Sequence, residues 1–201
     1  MLFRSKIGPV IEGLQKAYPQ ARLVSMNIPP LTGLADNTYD VVVSFQVIEH
    51  IENDSLFLKE IYRVLKPGGT ALLTTPNRKL SLTRNPWHVR EYLPVELEQL
   101  ARRYFDSTQM KGITGNKKVM QYYEENRKSV RRLMRWDVFN LQYKLPARLL
   151  RVPYEIMNRW NRNKLQSNGD ALVRNITHND YLVTNRAEEA LDLLLIAKKH
   201  T

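Results

Sequence analysis

The sequence predicts an α/β fold, because strand-like and helix-like patterns alternate between Tyr39 and Asn77. Val41–Val43 is a continuous β-branched run, which is typical of a strand buried on both faces of a parallel sheet. The helix-like segment that follows has apolar residues on one face, which can lie against the sheet. Thr70–Thr75 then gives a second strand. Two parallel strands joined by a helix form a right-handed crossover, and ligands bind beyond the carboxyl ends of such strands.

Local signals predict where the helix of this unit begins and ends. Asp54 or Ser55 can cap its start, because a short polar side chain accepts from the free backbone amides of a first turn. The run from Lys66 to Gly69 ends it, since proline cannot continue a helix and glycine tolerates a positive φ. The carboxyl ends of the two strands are then Ser44–Gln46 and Thr75–Asn77, and we expect a site there.

Composition limits the class of protein. A chain of 201 residues with 43% hydrophobic content can bury one core. The absence of cysteine excludes a disulfide framework and a thiolate metal site, and it agrees with a reducing compartment. No stretch resembles a transmembrane helix or a signal peptide, so we expect a cytoplasmic protein. Most of the net charge of +11 lies between Asn116 and Leu165.

The remaining apolar patterns predict elements on both sides of the central unit. The run Leu191–Ala197 is apolar nearly throughout, which favours an interior strand. We predict helices at Pro9–Ala17 and from Pro94, and further strands at Arg22–Met26 and Phe105–Ile113.

Three phrases of the central unit, VVVSFQVIEHI, EIYRVLKPGG and LLTTPN, resemble in this order the middle of a class I S-adenosylmethionine-dependent methyltransferase. The similarity continues through Asn85–Tyr92 (NPWHVREY) and the last apolar run. It implies a Rossmann-like sheet of the small-molecule type, in which the last strand is antiparallel and lies between the fifth and sixth. It also implies S-adenosyl-L-methionine as the cofactor and methyl transfer as the reaction.

The sequence departs from this family at its start. The family's first strand carries a G-x-G turn and its second strand ends in an acidic residue, yet this sequence contains no G-x-G. We therefore expect a partial sheet that lacks the first two strands, with an open edge at Tyr39–Ser44 and a poorly anchored segment before Asn27. The first five residues, MLFRS, have no evident role in a fold. We hypothesise that the reading frame begins inside a gene and that the chain is an N-terminally truncated fragment.

The resemblance assigns cofactor-binding roles to two groups of residues. Asn27 would read the adenine amino group and the backbone of Ile28 would donate to the ring, whereas the alternative is that Asn27 only opens the Pro29-Pro30 loop. Residues after the first strand of the unit would line the methionine and ribose region: Ser44, Phe45 and Gln46.

Candidate catalytic and substrate-binding residues follow the two strands. His50, in the Glu49-His50 pair, either takes part in acid–base chemistry or orders the turn. His88 or Tyr92 could orient or deprotonate an acceptor hydroxyl. Substrate-binding candidates are Asn77, Trp87 and Arg90; the alternative is that Arg90 and Glu91 pair with each other or with the following helix, and that Trp87 lies in the core. The four histidines lack a ligand spacing such as i, i+4, so we expect no metal.

The unusual part of the chain is a basic stretch before the last strand. We divide the chain into a partial core (1–115), a basic helical insert that caps the substrate (116–180) and a strand that completes the core (181–201). Val119 and Val130 have helical spacing, and a run of cations lies between them and after them. These cations form a solvated face, a grip on an acidic or phosphorylated acceptor, or a surface for anionic lipid. No nucleic-acid-binding motif accompanies them, so a nucleic-acid site is the weaker expectation.

These patterns predict a methyltransferase that acts on an unidentified small molecule, lipid or sugar hydroxyl. Transfer from a sulfonium expels a neutral leaving group, so positioning dominates and a base is needed only for a hydroxyl acceptor. Two alternatives come from other classes: a non-catalytic remnant, and a nucleic-acid-binding α/β protein that uses the basic insert. Peripheral membrane contact through the insert is a further expectation, and the sequence predicts no particular oligomeric state.

Overall fold

The computed structural model describes residues 12–135, 144–152, 154–157, 159 and 175–201. They form one five-stranded mixed sheet with the order β1-β2-β5-β3-β4. The strands are β1 (Tyr39–Phe45), β2 (Leu65–Pro76), β3 (Ser107–Gly115), β4 (Tyr181–Thr184) and β5 (Asp192–Lys198), and the longer helices are α1 (Asp54–Val64), α2 (Pro94–Ala101) and α3 (Lys117–Met134). The α/β prediction is confirmed.

The central β1-α1-β2 unit has the predicted parallel pairing, with Val43 opposite Leu72. Its cap is different from the one predicted: Asn53 Oδ1 accepts from the backbone N of Leu56 at 2.9 Å, so neither Asp54 nor Ser55 caps the helix. The end also differs, because α1 stops at Val64 and β2 begins at once. The Lys-Pro-Gly-Gly run is therefore part of the strand, where Gly68 has a φ of 76°.

The far side of the sheet confirms the antiparallel last strand. β5 lies between β2 and β3 and is antiparallel to both. The strand β4 was missed by the sequence patterns; it pairs with the end of β3 and exposes three successive large side chains, Tyr181, Leu182 and Val183. Because its exposed residues are also apolar, β4 lacks the alternation of apolar and polar residues from which a half-exposed strand is predicted.

The segment before the sheet does not form the predicted strand. Residues 12–17 are helical, but residues 21–27 have no regular secondary structure, so the strand at Arg22–Met26 was wrong. Among the described residues no strand lies beside them, and a strand needs a neighbour to satisfy its backbone groups. Met1–Ser5 and the predicted helix start at Pro9 lie outside the described residues. As expected, β1 is at the edge of the sheet, with Val41 and Val43 each 53% exposed.

The core lies between the sheet and α1 and α2. Leu58 and Ile61 of α1, Leu97 of α2, and Leu73 and Leu195 of the sheet are almost fully buried. Burying a side chain of this size stabilises the fold by roughly 1.5–3 kcal/mol. The core thus fixes the relative positions of the β1 and β2 carboxyl ends, where the candidate site is built.

The insert begins with α3, as its helical spacing predicted, and Val119 and Val130 are buried. Gly115 permits this start, because a Cβ atom there would lie 2.2 Å from Cβ of Val119. Residues 147–152 and 154–157 are also helical. Among the described residues, no helix has both the length and the apolar character needed to cross a lipid bilayer.

Candidate active site

A loop of residues 77–92 covers the carboxyl ends of β1 and β2, and the Glu49-His50 pair holds it. The backbone O of Glu49 accepts from the backbone N of Val89 at 2.8 Å, and His50 Nδ1 lies 2.9 Å from the backbone O of Trp87. The Glu49 carboxylate is buried and accepts from Thr75 Oγ1 at 3.0 Å. The pair therefore connects the loop to β2 and to the turn that follows β1.

The loop carries a histidine–carboxylate dyad, His88 and Glu91. His88 Nδ1 lies 2.6 Å from Glu91 Oε1, and Asn85 Nδ2 lies 2.8 Å from His88 Nε2. Asn85 Oδ1 accepts from the backbone N of Trp87 at 3.0 Å, which fixes the direction of the Asn85 amide. Since Asn85 Nδ2 then donates, His88 Nε2 accepts, and the ring proton is on Nδ1 facing Glu91.

Glu91 is held in its ionised form. Burial opposes ionisation, but the hydrogen bonds from His88 and from Ser81 Oγ outweigh it and leave the pKa of Glu91 below its ordinary value. An ionised carboxylate on Nδ1 orients the imidazole and stabilises its protonated form. The other nitrogen, Nε2, is then the atom that can accept a proton from a substrate.

Two adjoining cavities meet at this dyad. The first has a volume of about 190 Å³ and the second about 240 Å³. Both are lined by Ser81, Thr83, Asn85, His88 and Glu91. The first cavity is completed by arginines from the loop, and the second by Pro76, Leu82, Asn126, Val130 and Tyr154. A molecule in the second cavity would meet apolar side chains beside the histidine.

Described residues of the insert contact the loop. Tyr123 Oη donates to the backbone O of Leu80 at 2.9 Å, and the guanidinium of Arg84 donates to the backbone O of Leu145 at 3.3 Å. The guanidinium carbon of Arg151 lies 4.1 Å from the ring centroid of Trp87, a cation–π contact. Trp87 thus supports the contact between the loop and the insert.

Two predicted site residues are used in the core instead. Tyr92 is 4% exposed and donates to Asp54 Oδ2 at 2.7 Å. Burial and the Asp54 carboxylate raise the pKa of Tyr92, which does not suit the base that the sequence suggested. Asn77 is fully buried; its amide donates to the backbone O atoms of Ala187 and Ala190 at 3.1 and 2.8 Å. Both N–H groups of the Asn77 amide therefore donate within the protein, and the buried side chain does not contact substrate.

Arg90 is in an ion pair, but its partner is neither Glu91 nor the helix that follows the loop. Its guanidinium donates to Asp54 Oδ2 at 2.6 Å and to the backbone O of Glu52 at 3.1 Å, although it also lines the first cavity. The predicted anion clamp is therefore already paired with a carboxylate. The arginine fixes the loop to the start of α1.

The proposed cofactor residues are divided between an ordered and an irregular region. Ser44 Oγ is buried and finds no hydrogen-bond partner among the described residues, and Phe45 is 57% exposed. Gln46 has a positive φ of 54°, which turns the chain at the crevice. These three residues fit one wall of a cofactor site, because the hydroxyl of Ser44 and the ring of Phe45 can both contact a ligand there. Asn27 and Ile28 are exposed and lie outside any strand.

The opposite wall is not found in the described residues. β1 is an edge strand, so no described strand supplies a turn on its outer side. The part of the chain that the structure describes therefore fits only one side of S-adenosylmethionine.

Asp192 is a site residue that the sequence patterns missed. It opens β5 opposite Pro76, and its Oδ1 accepts from Gln46 Nε2 at 3.2 Å. Burial raises the pKa of Asp192, and the nearby Glu49 charge adds to this. Perturbed carboxyl groups in a crevice are candidates for ligand binding. Asp192 lies near the end of β1 because β5 is antiparallel to β2 and begins at the edge of the sheet where β1 and β2 end. The sequence patterns do not show this position.

Three side chains could also hold a metal ion. Ligand atoms of Glu49, His50 and His88 all lie within 4.8 Å of one another. These side chains already make other contacts: Glu49 accepts from Thr75 Oγ1, His50 Nδ1 lies 2.9 Å from the backbone O of Trp87, and His88 Nδ1 faces Glu91. The expectation of no metal stays a prediction.

Comparisons with known proteins match this arrangement. A family described as "Methyltransferase domain" matches residues 9–73. Over 88 residues the chain is 44% identical to a probable S-adenosylmethionine-dependent methyltransferase of Mycolicibacterium smegmatis, which covers 41% of this chain and 34% of that protein. Over these residues the chain is similar to S-adenosylmethionine-dependent methyltransferases. The family is one of enzymes, and its cofactor is S-adenosyl-L-methionine, as the resemblance implied.

Further relatives agree with this family. Over 44 residues the chain is 43% identical to a ubiquinone biosynthesis O-methyltransferase of Rickettsia conorii, covering 22% of this chain and 15% of that protein. The chain spans about a third of the length of the first curated relatives it matches. Among solved structures, the YcgJ protein from Bacillus subtilis is similar in fold, with 14% identity, a TM-score of 0.51, and coverage of 96% of this chain and 78% of that one. Neither a remnant nor a nucleic-acid-binding protein finds support among these matches.

Proposed function

We propose that this chain takes part in S-adenosylmethionine-dependent methyl transfer to a hydroxyl oxygen. The observation that supports a hydroxyl is the His88–Glu91 dyad, in which Nε2 is the accepting nitrogen beside two cavities. An amine acceptor that is already deprotonated needs no such base, whereas a hydroxyl becomes a stronger nucleophile when its proton is removed. One relative is named an O-methyltransferase, which agrees with this choice.

The dyad performs the proton step. An acceptor hydroxyl in the cavities replaces the Asn85 amide at His88 Nε2, and its proton moves to that nitrogen as the oxygen becomes methylated. Glu91 stays ionised and holds the imidazolium through Nδ1. S-adenosylmethionine, when bound, supplies a methyl group on a positively charged sulfur that leaves as a neutral thioether. Ser44, Phe45 and Gln46 would hold it at the carboxyl end of β1.

The second cavity has a mixed lining in which polar side chains predominate, and its apolar patch can accommodate part of an acceptor. The second cavity joins the dyad to Pro76, Leu82 and Val130, while Tyr154 closes it from the insert. The arginines of the first cavity are less available, since Arg78 pairs with Glu96 at 2.7 Å and Arg90 with Asp54. We therefore favour a phenolic or lipid hydroxyl over a phosphorylated acceptor. A cytoplasmic location is part of this proposal.

The test has two steps. Calorimetry with S-adenosylmethionine and S-adenosylhomocysteine first measures binding to the chain, and labelled methyl transfer to a panel of phenols and lipid alcohols then measures activity. We expect His88→Gln to lower kcat by about 10²–10⁴, the usual contribution of a positioned base. Glu91→Gln should lower kcat less, because the base remains but its orientation is lost.

A matched control is His200→Gln, whose ring contacts only the carbonyl of the neighbouring Thr201 among the described residues. It should leave cofactor affinity and kcat unchanged. If His88→Gln retains full kcat on a hydroxyl acceptor, the base assignment is wrong. If the unmodified chain binds neither cofactor form, the one-sided cofactor wall is insufficient and the non-catalytic alternative is correct for this chain.

A further inference from the structure

The helical residues after α3 carry an apolar stripe that faces solvent. Leu149, Val152 and Ile156 are 64%, 65% and 65% exposed. They recur at intervals of three and four, which is the spacing of neighbours on one helix face. Leu150, Tyr154 and Met157 on the same segment are half-buried. The segment therefore has an inward face toward the protein and a separate apolar face that the described residues do not cover.

Exposed cations lie on the same segment as this stripe and on helix α3, whose Val130 lines the second cavity together with Tyr154 of the segment. Arg148 and Arg159 are exposed on the same segment, and Lys144 is exposed just before it. Three further exposed cations lie on α3, Lys128, Arg131 and Arg132, and the exposed Arg135 follows its end. Glu155 is the one acidic group on residues 144–157, and it is exposed. The surface thus combines large apolar side chains with a strong excess of positive charge.

This combination favours an anionic bilayer over the other occupants. A solvated basic face explains the cations but not three large apolar side chains that are two-thirds exposed. Single-stranded nucleic acid stacks its bases on aromatic rings, yet the exposed stripe is entirely aliphatic. Aliphatic residues that enter the headgroup region beside cations that contact anionic headgroups are the signature of an interfacial helix.

We propose that the surface formed by Leu149, Val152 and Ile156, with Arg148, Arg159 and the α3 cations, docks on an anionic lipid bilayer. The apolar side chains enter the headgroup boundary while the cations remain at the phosphates. Tyr154 on this segment and Val130 on α3 also line the second cavity, so the docked face lies next to the site. Delivery of a lipid-borne hydroxyl to the cavity rests on the proposed function, whereas the docking itself does not.

Vesicle flotation tests the docking. Vesicles of phosphatidylcholine alone are compared with vesicles of phosphatidylcholine and phosphatidylglycerol, at low and high salt. We expect binding to the anionic vesicles only, weakened by salt. The variant Leu149→Ser/Val152→Ser/Ile156→Ser should bind at least about tenfold more weakly, and Arg148→Glu/Arg159→Glu should lose a similar factor.

Matched controls come from exposed positions elsewhere. Val183→Ser, in β4, removes an apolar side chain of 60% exposure, and Arg103→Glu reverses an exposed charge beside α2. Both should bind as the unmodified chain does. Equal binding to both vesicle types would overturn the proposal, as would full binding by the triple serine variant.

A spectroscopic measurement keeps the proposal testable if the triple variant does not fold. The chain has no cysteine, so Val152→Cys gives a unique site for an environment-sensitive dye. Its emission should shift to the blue on anionic vesicles, while the same dye at Val183→Cys should not shift. No shift at position 152, with the protein bound, would show that the stripe does not enter the bilayer. These readouts do not depend on activity, so they separate a failure of docking from a failure of the proposed function.

Discussion

At the residue scale, different polar side chains of the site hold the loop in place and orient the imidazole of His88. Glu49 and His50 form the hydrogen bonds that hold the loop. Asp54 accepts hydrogen bonds from Tyr92 and Arg90. His88 has its accepting nitrogen, Nε2, beside the cavities. Asp54 satisfies the hydroxyl of Tyr92, which is 4% exposed and would otherwise be buried without a partner. The loop is therefore held from β2 and from the turn that follows β1, and the imidazole is oriented before any acceptor arrives.

The sequence patterns identified residues that lie near the site, but they did not show in which direction each side chain points. The sequence placed His88 on an ordered loop over the strand ends, where the structure also has it. The hydrogen bonds that hold this loop come from Glu49 and His50. Asn77 and Tyr92 point into the protein, because backbone carbonyls and the Asp54 carboxylate lie closer to them than the cavities do. Side-chain direction depends on such distant partners, which a single sequence does not show.

Asp192 gives a prediction at this scale. Its raised pKa means that folding favours the protonated carboxyl, so its contribution to stability is fully present below the unfolded pKa and is lost as pH rises through the folded one. At neutral pH the ionised group therefore opposes folding. Asp192→Asn removes this charge and can keep the hydrogen bond from Gln46. We expect a rise in the thermal midpoint on the order of 2 °C at pH 7.

The pH dependence separates this mechanism from a general packing effect. The advantage of Asp192→Asn, measured by differential scanning calorimetry, should shrink as pH falls through the raised pKa of Asp192 toward the ordinary pKa of an aspartate. Asp106→Asn is a control, since Asp106 accepts from the backbone N of His200 at an exposed position. A gain that is equal at pH 4 and pH 7 would contradict the charge argument.

At the element scale, Asp180 joins the two ends of the insert. Its carboxylate accepts from the backbone N of Thr177 at 2.7 Å, from Asn116 Nδ2 at 2.7 Å and from Lys118 Nζ at 3.0 Å. The hydrogen bond from Thr177, then those from Lys118 and Asn116, hold the pKa of Asp180 far below its ordinary value. One side chain thus connects the start of α3 to the turn that leads into β4.

This geometry predicts that Asp180→Asn loosens the insert. An asparagine must turn an NH2 group toward these donors, so contacts at both ends of the insert are lost together. We expect a fall of several °C in the thermal midpoint and faster protease cleavage between residues 116 and 180, with the sheet protected. In the unmodified chain, the stabilisation by Asp180 is present above the unfolded pKa and is lost as pH falls through the folded pKa. Cleavage at unchanged sites and rates would contradict this role.

Periodicity predicted the elements that are well covered and failed on those that are not. β2, α1, α2 and β5 have one buried face or two, so their apolar patterns are clear. The predicted strand at Arg22–Met26 has a suitable pattern but no neighbouring strand in the part of the chain that the structure describes. β4 has a neighbour but an exposed apolar surface. Strand formation depends on pairing as well as on side-chain type. The boundaries proposed for the basic insert remain a prediction.

At the scale of the whole molecule, the sheet ends in an apolar edge. β1 pairs with β2 on one side only, and Val41, Val43 and Phe45 are all more than half exposed on one face. Such an edge offers unpaired backbone groups and apolar side chains to another chain. The sequence predicted this edge from the missing glycine turn, and the structure confirms that β1 is the outermost strand.

The edge predicts self-association that a single charge should suppress. Val43→Lys places an ammonium in the middle of the exposed face, where pairing with a second copy would have to bury it. Because Val43 is 53% exposed in the chain itself, the substitution should change the thermal midpoint little while lowering the association seen by sedimentation velocity at rising protein concentration. Val95→Lys is the matched control, since Val95 is 50% exposed but lies on α2. If Val95→Lys lowers association as much as Val43→Lys does, general charge repulsion is the cause. If only Val43→Lys lowers it, the uncovered β1 edge sets the oligomeric state of the molecule.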